Sequence, residues 1–145
     1  MTPRLAQVRI YVDADILGLG KILAGLRSDV TYPGDPGAVI RKQQRPPCPL
    51  TDPAMPDTDW IPKVASRGWL IVTRDSKISE RRSEITAVRE NNAKMAALNP
   101  LDTQTKWEQL EVFMTQWRQL EALINEPGPF IWRVSRTTMT EIPLN

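Results

Sequence analysis

The chain has 145 residues, 41% apolar and 25% charged, with a net charge of +2. That is enough for one domain with one core, and it gives no global polyelectrolyte signal for nucleic acid. It has one Cys and no His, which excludes an internal disulfide, Ser-His-Asp and Cys-His catalysis and any His-bearing zinc site.

Residues 7–13 read as a buried strand ending in Asp13. Ile16 to Arg27 reads as a helix, because Ile16, Leu19, Ile22, Leu23 and Leu26 recur at helical spacing. Gly18, Gly20 and Gly25 weaken it and let it lie close against a sheet. Asp15, just before Ile16, suits the helix cap, whereas Asp13 at the strand end suits a site. Val30 to Tyr32 reads as a short strand stopped by Pro33-Gly34. Residues 33–56 hold more than half of the thirteen prolines. They read as a loop that wraps the site, with a short helix allowed over Ala38 to Gln44.

Trp60 to Arg67 reads as a helix stopped by Gly68. Pro62 favours Asp59 as its N-cap, since proline then costs no hydrogen bond, and this leaves Asp57 free to bind something else. Trp69 to Thr73 is a near-continuous apolar run, as in a strand covered on both faces. Asp75 follows it. Ile78 to Asn91 reads as a charged helix and Ala93 to Leu98 as a strand. Leu101 to Ile124 reads as one long helix, with Trp107, Leu110, Phe113, Met114, Trp117, Leu120 and Ile124 in one stripe. Trp107 and Trp117 are expected in the core, as are Trp69 and Trp132. Thr105 to Glu108 resembles a capping box. Phe130 to Val134 and Met139 to Ile142 read as a closing hairpin.

Runs that end in Asp13 and Asp75, with Asp57 and Asp59 at a helix mouth, point to parallel strands that gather carboxylates at one sheet edge. Such a cluster shares protons or holds a hard divalent ion, Mg²⁺ or Mn²⁺. Arg67, Arg74, Lys77, Arg81, Arg82 and Arg89 surround the Asp75 loop. They read either as a solvated helix face balanced by Glu80, Glu84 and Glu90, or as a phosphate-backbone rim.

The order strand-Asp13, Pro56-Asp57-Thr58-Asp59-Trp60-Ile61, then Gly68 to Ile78 with Thr73-Arg74-Asp75, resembles the PIN-like domains of the VapC-toxin type. The interval of 18 between Asp57 and Asp75 and the Gly128-Pro129-Phe130 tail are similar to that family's short subgroup. The resemblance implies a single domain with a three-layer α/β/α sandwich and a mainly parallel sheet, plus the long C-terminal helix and hairpin. It implies a Mg²⁺- or Mn²⁺-dependent endoribonuclease, the toxin of a toxin–antitoxin pair. Asp13, Asp57 and Asp75 match the metal-binding acids, and Asp15 and Asp59 are seconds to them. Residues 38–50 contain no Asp or Glu, so Asp35 and Asp52 are the loop candidates for a further acid. Thr73, Arg74, Lys77 and Arg82 are the substrate-binding candidates. The implied partners are RNA, a cognate antitoxin and a second copy in a homodimer, with a cytoplasmic location and no membrane. Two other readings stay open: a PIN-like binding module without catalysis, and a haloacid-dehalogenase-type phosphatase, from Asp13-Ala14-Asp15.

Overall fold

The computed structural model describes residues 2–74 and 82–145. The main sheet has six strands. They are β2 (Ile10–Val12), β3 (Val30–Thr31), β6 (Leu70–Thr73), β7 (Lys94–Leu98), β8 (Phe130–Val134) and β9 (Met139–Ile142). Their order is β3-β2-β6-β7-β8-β9, and every pair is parallel except the closing hairpin of β8 and β9. Ile10, Tyr11 and Val12 lie opposite Leu70, Ile71 and Val72. This register brings the C-terminal ends of β2 and β6, and so Asp13 and Thr73, side by side.

Apolar clusters lie on both faces of this sheet, which is why β6 is buried along its whole length. One face carries α1 (Leu17–Leu26), α4 (Lys106–Thr115) and α5 (Trp117–Ile124), packing Leu19, Leu23, Phe113 and Leu120 onto Ile10, Leu70 and Val72. The other carries α2 (Asp57–Ala65) and α3 (Arg82–Glu90), packing Trp60, Ile61, Ile85 and Val88 onto Ile71 and Met95. The chain is therefore a mixed α/β protein with a mainly parallel sheet, as the strand pattern predicted. Gly20 does let α1 approach the sheet: a Cβ there would sit 3.1 Å from Tyr32 and 3.2 Å from Val12.

Four expectations need correction. Ala38 to Gln44 is not helical. It forms a hairpin of β4 (Ala38–Ile40) and β5 (Gln43–Arg45), turned by Arg41 and Lys42 at positive φ. With β1 (Arg4–Leu5) it makes a second, three-stranded sheet that the sequence reading missed. The Leu101–Ile124 helix is broken. A 3-10 turn at Pro100–Asp102 precedes α4, which starts in a full Thr105/Glu108 capping box, and Gln116 separates α4 from α5. Gln116 leaves helical backbone angles (φ −95°, ψ 10°), and its side-chain amide donates to the Ser135 carbonyl at 2.9 Å, tying the break to the end of β8. Helix α2 starts at Asp57, not Trp60, so Asp59 is not its cap, and Pro62 sits inside it. The carbonyl of Pro56 accepts from the amides of both Asp59 and Trp60, which begins the helix three residues early. The part of the Ile78–Asn91 helix before Arg82 lies outside the described residues.

The fourth correction is Trp107. It is 76% exposed, and Met114 on the same stripe is 64% exposed. The stripe is longer than the core it covers. Trp117 and Trp132 are half-buried against the core, as is Trp69. Among the described residues no helix is long and apolar enough to cross a membrane.

Candidate active site

The carboxylates meet where β2 and β6 end. The chain leaves β2 at Asp13 in extended backbone and enters a 3-10 turn over Ala14–Ile16. Asp13, not Asp15, caps that turn: its Oδ1 accepts from the Ala14 amide at 2.6 Å. Asp15 is thereby released from capping. Its Oδ2 accepts from the Thr73 hydroxyl at 3.1 Å and from the Arg74 amide at 3.0 Å. The same Thr73 hydroxyl lies 3.0 Å from Asp13 Oδ2. One buried hydroxyl on β6 thus faces two carboxylates from the turn after β2. A hydroxyl carries a single proton, so it can donate to only one of them at a time.

Asp57 enters from the other layer, in the first turn of α2. The indole N–H of Trp60 donates to Asp57 Oδ1 at 2.8 Å. Trp60 is itself held by the Tyr11 ring, 5.3 Å away between centroids and tilted by 35°. One edge of Asp57 is therefore fixed by a side chain one helical turn ahead of it.

A cavity of about 210 Å³ joins these groups, and its lining includes Tyr11, Asp13, Asp15, Asp52, Asp57, Trp60 and Glu84. Glu84 was missed as a site residue, since it reads as one of the acids that balance an arginine-rich helix face. It is 2% exposed, in the first turn of α3. The signal was present in the spacing: Glu84 stands beside Ile85 and one turn before Val88, on the buried face of that helix. Asp52 reaches the cavity rim from the proline-rich loop, which wraps the site as expected, and also accepts from the Ala54 amide at 2.9 Å.

The electrostatics follow from this crowding. The Asp13 carboxyl is pushed up to about 7, first by burial, then by the charges of Asp15 and Asp57, against the opposing pull of Thr73 and the Ala14 amide. Tyr11 is raised too, by burial and by Asp13, so its hydroxyl keeps its proton.

The other predicted residues scatter. Asp59 is exposed and does not line the cavity. Asp35 is not available as a further acid. Its carboxylate takes both Arg45 Nε at 2.7 Å and Arg45 Nη2 at 3.2 Å, besides the Thr31 hydroxyl at 2.8 Å and the Gly37 amide at 2.9 Å. Arg74 turns its guanidinium to the Thr103 hydroxyl at 3.1 Å and the Pro100 carbonyl at 3.0 Å, which ties the end of β6 to the loop after β7. Arg82 is exposed at the start of α3. Arg67 stacks over Trp69, and Arg89 donates to the Leu144 carbonyl, so neither borders the carboxylates. Asp75, Lys77 and Arg81 lie outside the described residues.

The donor set is all carboxylate and hydroxyl oxygen, the set that a hard divalent ion takes. Among the described residues alone, no group of three acids meets closely enough to hold an ion. In chemistry and charge the residues present fit such an ion.

A family model for a PIN like domain matches residues 10–100, the span from β2 to the turn before α4. Comparison with curated proteins gives no match, and comparison with solved structures gives none.

Proposed function

Since the chain belongs to the PIN-like domain family, we propose that it is a Mg²⁺- or Mn²⁺-dependent endoribonuclease, the toxin of a toxin–antitoxin pair acting in the cytoplasm. The observation that carries the proposal is the pairing of Asp13 and Asp15 on one Thr73 hydroxyl, with Asp57 and Glu84 lining the same cavity. Asp13, Asp15 and Asp57 would hold the ion together with Asp75, the third acid in the family's motif order. Glu84 would supply the further acid. Such an ion supplies Lewis-acid chemistry: it makes water acidic near neutral pH and offsets charge growing on phosphoryl oxygens.

The chain's own residues do the positioning. Thr73 holds Asp13 and Asp15 at a fixed separation, and Trp60 holds Asp57. With Asp13 and Asp15 neutralised by the ion, Arg82 and Lys77 would hold phosphates of the RNA strand. Arg74 would act through the loop it ties to β6. The antitoxin would cover the acidic cavity, and a homodimer fits the reading.

The test is cleavage of labelled single-stranded RNA with Mn²⁺ or Mg²⁺, with EDTA as control and Asp75→Asn beside the wild type. Cutting that needs the metal and is lost in the variant supports the nuclease. Metal binding with no cutting, at high enzyme concentration, supports the PIN-like binding module instead. Hydrolysis of a small phosphomonoester would favour the phosphatase reading, which rests on Asp13-Ala14-Asp15 alone.

A further inference from the structure

Helices α1 and α4 leave a stretch of apolar surface open between them. Leu26 is 59% exposed on α1, opposite Met114 and near the half-buried Leu110 and Trp117 on the other side. Together with Phe113 they line a groove of about 390 Å³. Ile22 and Trp107 extend the exposed apolar surface along the same two helices. Aliphatic groups at this spacing on two helices are what a third helix packs against.

The groove's own charged lining is basic, Arg27 and Arg41, and the two helices that form it carry further cations. Arg41 closes one end, Lys106 of α4 lies over Gly18 of α1, and Lys21 is exposed on α1. Among the described residues none of these three is within 4 Å of an acidic group. Beyond Arg41 the groove runs into a second cavity, also lined by Leu26 and Arg27, where Arg9 and Arg27 share the single carboxylate of Asp29 and Arg41 stands apart from it. Arg27 spans the junction, with its guanidinium 4.1 Å above the Trp117 ring. The nearby acids are already used: Glu108 in the capping box, Glu111 in a 2.7 Å pair with Arg136, and Glu121 beside Arg9 and Arg118.

We infer that this groove docks a partner protein's amphipathic helix, apolar on one face and flanked by Asp and Glu. The occupant must offer aliphatic surface to Leu26, Leu110 and Met114, which single-stranded RNA does not. It must also carry negative charge at the rim. A second copy is the poorer fit, because isologous pairing sets this basic rim against its own equivalent. The inference does not depend on whether the acidic cavity cuts RNA.

The test uses two dye-labelled helix-forming peptides of about four turns, with the same leucine stripe and either Glu or Lys on the flanks. Binding to the full chain is followed by fluorescence anisotropy. The Glu-flanked peptide should bind at least about tenfold tighter than the Lys-flanked one, and the difference should shrink with added salt. The double change Leu26→Gln, Met114→Gln should weaken binding by about tenfold with helix content unchanged by circular dichroism. Arg41→Glu should weaken only the Glu-flanked peptide. Equal affinity for the two peptides, no binding of either, or binding indifferent to the double change would overturn the inference. So would displacement of the peptide by single-stranded RNA, or a wild-type dimer in sedimentation that the double change makes monomeric.

Discussion

Asp13→Asn should make the metal-free protein more stable at high pH, although it removes a side chain central to the site. The folded carboxyl is raised from 3.8 to about 7. It therefore holds its proton in the folded state at pH values where the unfolded chain has lost it. Stability from this group falls as pH rises from about 4 to about 7 and stays low above that. At 1.36 kcal/mol per pH unit, the penalty above about pH 7 reaches about 4 kcal/mol. Asparagine keeps an oxygen for the Ala14 amide, carries no charge and removes the repulsion that Asp13 shares with Asp15 and Asp57. Allowing for the burial of an amide in its place, a net gain of about 2 kcal/mol is expected at about pH 8. At about pH 5 the wild-type penalty is below about 2 kcal/mol, so the gain should nearly vanish. The assay is urea unfolding of both proteins in EDTA at the two pH values. Divalent ion should then stabilise the wild type and not the variant. A loss of stability in Asp13→Asn that is equal at both pH values would refute the reasoning and leave Asp13 as a turn cap only.

Three further outcomes follow from single contacts. Trp60→Phe keeps the ring against Tyr11 but removes the donor to Asp57 Oδ1; Mn²⁺ affinity by calorimetry should fall by about tenfold, with the thermal midpoint little changed. Arg45→Ala strands the buried Asp35 carboxylate and frees the carbonyls of Ala24 and Arg27 at the end of α1, so denaturant unfolding should show a loss of about 3–5 kcal/mol. Gly25→Ala places a Cβ where nothing lies within 4 Å; it should stabilise by about 0.5–1 kcal/mol, and a destabilised variant would contradict the local geometry of α1.

The strands of the main sheet were legible because each is a short apolar run bounded by polar residues, and parallel pairing follows from the helices between them. The carboxylate edge was legible for the same reason: Asp13 sits where such a run stops. The small sheet was not, since β5 is Gln-Gln-Arg with no apolar residue and the turn from β4 depends on Arg41 and Lys42 at positive φ, residues that seldom adopt it. Capping was misassigned at both acidic pairs. Local preference suits Asp15 and Asp59 as caps, but a long-range contact from Thr73 holds Asp15 and a bond from Trp60, one turn along the same helix, holds Asp57. Glu84 was hidden by composition, one acid among arginines, until its helix face was known to be buried. Trp107 shows the converse: an apolar stripe of helical period reports amphipathicity, and only the third dimension tells which part of it the core covers.

The central claim is that the carboxylates at the end of β2, with Asp57 and Glu84, form a divalent-cation site. Its most direct test is Mn²⁺ binding followed by electron paramagnetic resonance, on the wild type, Asp13→Asn and Glu84→Gln. The account predicts that the wild type removes free Mn²⁺ signal in proportion to protein, that Asp13→Asn loses this almost entirely and that Glu84→Gln weakens it. Equal binding by all three proteins, or none by the wild type, would contradict it.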